Sequence, residues 1–254
     1  MTNWPCHVIN LARNTTRLAR VTAELDAAGM DWQRLEAVNG WELTPEEIAD
    51  VYDAGRNRAW FKADLVPPEI GIFLSQYTAW KQIAESDAPG GIVLEDDFAL
   101  LPGFAETIAD ICADKGPWDI VKLFTLNAQP KVLAERTLAG GTRLVLPYKV
   151  PTTMLGYVIR RDAARHLVQN SLPLHRPVDD DHKYFWQHGL NIALALPCPL
   201  ALGEQTAETG TIGAARRKAP KTGRLMRRLR FTLSYSLMLH LTRLRQRLMR
   251  QCRV

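Results

Sequence analysis

The sequence lacks any apolar run near the roughly 18 residues that a transmembrane helix needs, and its N-terminus shows no basic-then-apolar signal peptide. Its four cysteines, Cys6, Cys112, Cys198 and Cys252, lie far apart and form no CxxC pair. This spacing suggests neither a structural zinc site nor a disulfide framework. Together these absences predict a cytoplasmic protein with reduced thiols.

Acidic residues are absent from Arg216 to Val254, where 13 of the 32 Lys and Arg residues lie. Residues 1–215 keep the other 19 basic residues against all 27 acidic residues, a net charge of −8. A body and a tail of opposite charge indicate separate tasks. We therefore expect a globular domain over 1–215 and a basic helical tail over 216–254.

Leucines recur in the tail at steps of three or four residues, which is typical of one stripe of an amphipathic helix. They are Leu225, Leu229, Leu233, Leu237, Leu241, Leu244 and Leu248. The stripe could lie in an anionic membrane surface, pack on the body or on a second subunit, or accompany nucleic-acid binding. Phe231 and Tyr235 are too few for a base-stacking platform, so the membrane surface is favoured.

The body alternates short apolar segments with segments of helical period, which predicts an α/β fold with a mainly parallel sheet and a Rossmann-like start. Strands are predicted at 7–11, 32–38, 91–94, 118–124, 154–160 and 192–196 (the last closing the sheet), with a hairpin leading into 142–148. Helices are predicted at 18–28, from 45, from 68, at 102–113 and at 162–170. Residues 52–68 show no clear period and predict a mobile loop over a site.

Three carboxylates, Glu95, Asp96 and Asp97, follow the apolar strand at 91–94 directly. Open α/β sheets place their ligands at such strand ends. Side-chain alternation predicts that Glu95 and Asp97 share a face. Acids packed this tightly resist joint burial unless a cation lies among them, and oxygen ligands favour Mg²⁺ or Mn²⁺. A solvated acidic turn is the alternative.

Two further charged groups are candidates for a site. Arg13 and Arg17 follow the first strand and are placed to meet an anion, although two surface arginines fit the same pattern. A second acidic run, Asp179–Asp181, comes after Pro177 at a predicted helix start and is followed by His182. Acidic residues also stabilise helix starts without any catalytic role.

Six segments, in this order, resemble glycosyltransferase family 25, which includes bacterial lipooligosaccharide and collagen galactosyltransferases. They are 8–17 (VINLARNTTR), 34–40 (RLEAVNG), 69–76 (EIGIFLSQ), 92–97 (IVLEDD), 156–164 (GYVIRRDAA) and 177–179 (PVD). The resemblance covers about residues 7–212.

The resemblance implies a GT-A-type fold and metal-dependent, inverting transfer from a nucleotide sugar, with UDP-galactose the expected donor. In that scheme Asp97 and Glu95 hold Mn²⁺ (or Mg²⁺), and the nucleotide side is formed by Asn10, Arg13 and Arg17 together with Glu95 and Asp96. Asp179 or Asp180 is the expected catalytic base. His182 is either a further metal ligand or an exposed helix histidine.

One position departs from the family pattern, because Gln76 replaces its histidine. Glutamine does not titrate near neutral pH, so its role is limited to hydrogen bonding. The expected function is hexose transfer to a lipid-linked saccharide such as lipooligosaccharide, at the inner face of the bacterial cytoplasmic membrane. Two alternative functions stay open: a non-catalytic membrane-associated saccharide-binding relative, and another metal-dependent nucleotide-processing enzyme such as a nucleotidyltransferase. The protein could also form a homo-oligomer.

Overall fold

The structure, a computed structural model, describes residues 3–203, 216 and 224–248. The strands are β1 Cys6–Asn10, β2 Gln33–Glu36, β3 Gly90–Glu95, β4 Phe98–Leu100, β5 Ile120–Lys122, β6 Val132–Thr137, β7 Arg143–Pro147, β8 Gly156–Arg160, β9 Ile192–Leu196 and β10 Leu200–Leu202. The helices are α1 Thr15–Ala27, α2 Pro45–Val51, α3 Ala54–Trp60, α4 Pro67–Glu85, α5 Phe104–Ala113, α6 Arg161–Asn170, α7 Val178–Asp181, α8 Phe185–His188 and α9 Arg224–Leu248, and a 3₁₀ turn spans His182–Tyr184.

The large sheet has the order β2-β1-β3-β8-β5-β9-β7-β6, and β4 pairs with β10 in a small second sheet. Strand β1 runs parallel to both β2 and β3, and β5 runs parallel to β9. Strand β8 is antiparallel to both β3 and β5, so these two strands run in the same direction and end at the same edge. The mixed α/β fold predicted from the sequence is confirmed.

Two hydrophobic cores lie on opposite faces of the sheet. Alternation along β3 sends Ile92 and Leu94 into one core and Val93 into the other. Helices α1 and α5 cover the first core, and α4 and α6 cover the second. Because both faces are covered, the central strands are apolar throughout, which explains the continuous apolar runs in the sequence.

Local signals set several helix ends as predicted. Gly29 follows α1 with φ of +65°, a conformation that favours glycine and stops the helix. The side chain of Thr44 accepts a hydrogen bond from the backbone N–H of Glu47, and the Glu47 carboxylate accepts one from the N–H of Thr44. This capping box starts α2 with Pro45 at its first position.

Other expectations were wrong. Residues 52–68 contain helix α3 and are not simply a loop; α3 lacks an apolar period because only Asn57 is buried in it. Strand β9 does not close the sheet but lies between β5 and β7. The predicted loop after Pro197 includes β10, while its residues 204–213 lie outside the described residues.

Helix α9 packs on the body through a face that the leucine stripe does not include. Phe231, Leu239 and Arg243 are buried, and the guanidinium of Arg243 donates to the carbonyl oxygens of Pro147 and Tyr148 at 2.6 and 3.1 Å. The stripe leucines are 47–77% exposed. Among helices in the described ranges, none is long and apolar enough to cross a membrane. Packing on the body therefore engages one face of α9 and leaves the leucine face open.

Candidate active site

The carboxyl ends of β1 and β3 bring the first candidate residues together. The two strands are parallel with Ile9 opposite Glu95, so Asn10 at the end of β1 lies beside the acidic run. Strand β3 ends at Glu95, and Asp96 and Asp97 form the turn before β4. A cavity of about 550 Å³ opens here, lined by both Glu95 and Asp97 as well as by Arg13.

Asp96 is held by two of the predicted nucleotide-side residues. Its carboxylate accepts from Asn10 Nδ2 at 2.7 Å and from the Arg17 guanidinium at 2.8 Å. Arg20 also donates to the Asp96 carbonyl oxygen at 3.2 Å, and Arg34 donates to Asn10 Oδ1 at 3.0 Å. The predicted set is therefore assembled, with Asp96 as the acid whose charge the protein itself balances. The nucleotide-binding roles of these residues stay predictions.

Glu95 and Asp97 are the acids of the first run whose pKa values are raised. Burial, together with the neighbouring Asp97, raises the pKa of Glu95 to about 8. Burial also raises the pKa of Asp97, against the opposing influence of Arg17 and Arg20. Two partly buried carboxyl groups that repel each other favour either a proton or a cation between them.

A hydrogen-bonded chain supports Glu95 from the core. Trp80 Nε1 donates to the Tyr157 hydroxyl at 2.7 Å, and that hydroxyl donates to Gln76 Oε1 at 2.6 Å. Gln76 Nε2 then donates to Glu95 Oε1 at 3.2 Å. The expectation that Gln76 acts through hydrogen bonding is thus confirmed.

The wall opposite the acids is a loop that packs tightly on α4. A Cβ at Gly40 would overlap the carbonyl group of Pro67, and a Cβ at Gly71 would lie 2.6 Å from the Gly40 nitrogen. The backbone N–H of Val38 donates to Ser75 Oγ at 2.8 Å. These contacts fix Trp41, which is 55% exposed, at the rim of the cavity. Trp41 was not predicted as a site residue, because nothing but its aromatic character marks it in the sequence.

The residues present fit a divalent cation of the predicted kind. No group of three or more His, Cys, Asp or Glu in the described ranges is arranged to hold a metal by itself. Mg²⁺-type ions, however, are commonly held by one or two carboxylates, with substrate phosphates and water completing the shell. Glu95 and Asp97 offer two such groups, and their raised pKa values reflect a site that a cation would stabilise.

The second acidic run begins a helix as predicted, and its three acids have different surroundings. Asp179 lies near enough to Glu95 to raise the pKa of that group, and its own pKa is raised by burial and by Asp180. Asp180 forms ion pairs with Lys62, at 3.0 Å, and with Lys183. Burial opposes the effect, but these lysines lower the pKa of Asp180.

Asp181, the third acid, is buried in an ion pair with Arg176, and its other oxygen lies 3.0 Å from His188 Nε2. Of the two predicted bases, Asp179 lies near Glu95 of the first run, and its carboxylate can accept a proton there. Asp180 is committed to its lysines.

One buried residue near the acids was not predicted as part of a site. Lys122, at the end of β5, is fully buried and donates to the Thr153 carbonyl oxygen at 3.0 Å. Burial lowers its pKa to about 7, although Asp179 and Glu95 act to raise it. Its signal in the sequence is a single lysine within an apolar strand.

His182 was expected to be either a metal ligand or an exposed helix histidine. The expected exposure was wrong. It is only 2% exposed and stacks on Trp80 with ring centroids 6.0 Å apart. Burial lowers its pKa well below the usual value. Within the described ranges neither ring nitrogen has a hydrogen-bond partner.

Comparison with known proteins shows the family to which the chain belongs. The sequence model of Glycosyltransferase family 25 (LPS biosynthesis protein) matches residues 3–181. The chain belongs to glycosyltransferase family 25. This membership favours glycosyl transfer over the nucleotidyl transfer that the acidic site alone allows.

The relatives carry names of two kinds. The chain is 30% identical over 183 residues to a glycosyltransferase 25 family member of Anopheles gambiae, covering 68% of this chain and 30% of the relative. It is 29% identical over 182 residues to procollagen galactosyltransferase 1-B of Xenopus laevis, covering 68% and 29%. It is also 30% identical over 183 residues to inactive glycosyltransferase 25 family member 3 of Homo sapiens, covering 68% and 30%. The chain thus spans about a third of the length of these relatives.

Proposed function

We propose that this family 25 protein is a metal-dependent, inverting hexosyltransferase that transfers galactose from UDP-galactose to a lipid-linked saccharide. The observation that carries the proposal is the pair of partly buried carboxyl groups, Glu95 and Asp97, at the cavity formed by the ends of β1 and β3. Arg13 lines the same cavity and supplies positive charge for a diphosphate. The name of the Xenopus relative supports galactose as the sugar.

Each group has a distinct task in this proposal. Glu95 and Asp97 would hold Mn²⁺, which when bound offsets the charge that develops on the leaving diphosphate. Asp96 holds Asn10 and Arg17 in position beside the donor. Asp179 accepts the proton of the acceptor hydroxyl as that oxygen attacks, because, of the two expected bases, only Asp180 is held in lysine ion pairs.

The donor and metal are tested by thermal shift with UDP-, GDP- and CMP-sugars, each with Mn²⁺ or with chelator. We expect UDP-galactose to raise the melting temperature only with Mn²⁺, because a ligand that binds the folded state alone stabilises it. Asp97→Asn should remove this shift and the transfer activity. Asp110→Asn, on α5 away from the cavity, is the control and should keep both. A normal Mn²⁺-dependent shift in Asp97→Asn would refute the metal assignment.

The lipid-linked acceptor and the location at the inner membrane face rest on α9. Residues two positions apart on a helix lie about 200° apart, so the leucine stripe faces away from the buried stripe of Phe231, Leu239 and Arg243. Exposed arginines, including Arg228 and Arg247, accompany the leucines. An exposed apolar stripe with flanking cations suits the interface of an anionic bilayer.

Membrane binding is tested with anionic phosphatidylglycerol vesicles and the triple variant Leu229→Gln/Leu233→Gln/Leu237→Gln. We expect vesicle binding to fall at least about tenfold, since each leucine that leaves water contributes about 1.5–3 kcal/mol. The control is Leu126→Gln/Leu202→Gln, which changes exposed leucines outside α9 and should bind normally. If the wild type stays in solution with vesicles, the stripe is a protein contact instead, and a second copy is the next partner to test.

A non-catalytic saccharide-binding role is the second candidate, because the human relative carries the name inactive. Binding of UDP-galactose does not separate the two roles, whereas release of UDP in the presence of an acceptor does. Donor binding without UDP release, across bacterial lipooligosaccharide acceptors, would favour the non-catalytic role.

A further inference from the structure

A second cavity, of about 690 Å³, lies among the helices on the other side of α4 and α7 and is called here the helical cavity. Its walls come from α3, α6, the segment 171–176, α8 and α9. It shares no lining residue with the strand-end cavity that holds Glu95 and Asp97. The proposed transfer mechanism therefore leaves it without a task.

The charges of the helical cavity are mostly positive or basic. Two arginines and three histidines line it, with one carboxylate among them: Arg56, Arg176, His166, His175, His188 and Asp181. The carboxylate is already engaged by Arg176 and His188. Asp181 is the one acidic residue of the described lining, so Arg56, His166 and His175 face the cavity with no second carboxylate there.

Two histidines of the cavity have surroundings that suit a negative group. Burial, together with Arg176 and Arg56, lowers the pKa of His175 to about 4, and this outweighs the opposing influence of Asp181 and Asp53. The surroundings of His175 therefore disfavour added positive charge. His166 Nε2 is buried and has no hydrogen-bond partner among the described residues. A negative ligand group would accept from such a nitrogen and would offset the two arginines.

Aromatic side chains give the cavity a second character. Trp60, Tyr184 and Trp186 line it, and Trp60 is 67% exposed. Flat aromatic surfaces beside polar groups suit sugar rings, which have apolar faces and polar edges. Ser234 and Met238 of α9 complete the wall, so the cavity adjoins the helix that carries the leucine stripe.

We infer that the helical cavity binds an acidic saccharide, one that carries a phosphate or carboxylate group. Arg56 and the Nε2 atom of His166 would meet the acidic group, and Trp60 would meet the sugar ring. This inference goes beyond the proposed function and does not depend on it.

The test is isothermal titration of the full chain with glucose 6-phosphate, glucose and inorganic phosphate as probes. We expect glucose 6-phosphate to bind more tightly than either other probe, because it alone offers both the anion and the sugar ring. Arg56→Gln should weaken this binding about tenfold, since a hydrogen bond to a charged group contributes about 1.5–3 kcal/mol. Arg58→Gln is the matched control, because Arg58 lies on the same helix outside the cavity lining, and it should bind normally.

A second readout follows His175 by NMR. A bound anion should raise the pKa of His175 from about 4 towards its usual value, because it offsets the field of the two arginines. Absence of glucose 6-phosphate binding, or equal binding by wild type and Arg56→Gln, would overturn the inference. Equal affinity for inorganic phosphate and glucose 6-phosphate would overturn its saccharide part.

The thermal shift with UDP-galactose keeps this inference separate from the proposed function. Arg56→Gln should leave the Mn²⁺-dependent donor shift unchanged, because Arg56 does not line the strand-end cavity. Failure of the donor shift with normal glucose 6-phosphate binding would refute the donor assignment alone. The reverse result would refute only the helical cavity as a binding site.

Discussion

The two acidic runs look alike in the sequence but differ in how the fold balances their charges. In the first run, Asp96 forms an ion pair with Arg17, and the pKa values of Glu95 and Asp97 are raised. In the second run, Asp180 and Asp181 are both held by cations. Each run therefore contains acids in structural ion pairs and acids that are available for binding or catalysis. The partners of Asp96 are distant in the chain, whereas Asp180 and Asp181 also have partners within seven residues.

Within the second run, exchanging Asp179 and Asp180 for asparagine should give the largest contrast. Asp179→Asn should lower kcat for galactose transfer about a thousandfold, because general-base catalysis contributes about 10²–10⁴-fold. Asp180→Asn should retain most activity, because its carboxylate is committed to Lys62 and Lys183. Steady-state UDP release measures both. If Asp180→Asn were the inactive variant, the base would be assigned to the wrong acid.

A smaller effect is expected for Asp181, whose replacement should change the stability of the fold. Asp181→Asn should lower the free energy of unfolding by about 3 kcal/mol, because it leaves the buried Arg176 without its anionic partner. Urea unfolding at constant pH provides the measurement. Asp162→Asn is the control, because Asp162 is 91% exposed in its ion pair, and its stability should be unchanged. A loss similar to the control would mean that Arg176 does not depend on Asp181.

The smallest of the three effects is a pH dependence of stability that comes from Glu95 in the first run. Glu95 ionises near 4.5 in the unfolded chain but near 8 in the folded protein. Between these values the folded state holds the extra proton, so the free energy of unfolding should fall as pH rises from about 4.5 to about 8.

Glu95→Gln should remove this part of the slope, measured by urea unfolding across the same pH range without added metal. Glu85→Gln is the control, since that exposed side chain on α4 should leave the slope intact. An identical slope in wild type and Glu95→Gln would contradict the raised pKa of Glu95.

Much of the fold was predictable because its signals are local. Apolar runs located the central strands, and Thr44 with Pro45 located the start of α2. Helix α3 was missed because it buries a polar residue, Asn57, whose amide donates to the carbonyl oxygens of Ala63 and His175. Those partners only become neighbours once the chain has folded.

The candidate site was predictable only where its signals are local in the sequence. The acids of the first run follow a strand and could be placed at a sheet edge. The ion pair between Lys62 and Asp180 joins residues 118 positions apart, and no local pattern connects them. The burial of Lys122 likewise depends on β5 lying inside the sheet. The tail was read correctly as a helix, but the face by which it packs was not predicted.

The chain of hydrogen bonds from Trp80 has a one-way polarity. An indole nitrogen can only donate, so the Tyr157 hydroxyl must direct its hydrogen to Gln76 Oε1. The amide of Gln76 is thereby prevented from turning over, and it presents a donor to Glu95 at every pH. A histidine at this position would change its donor count with protonation, whereas Gln76 does not titrate, so protonation of this contact is left to Glu95.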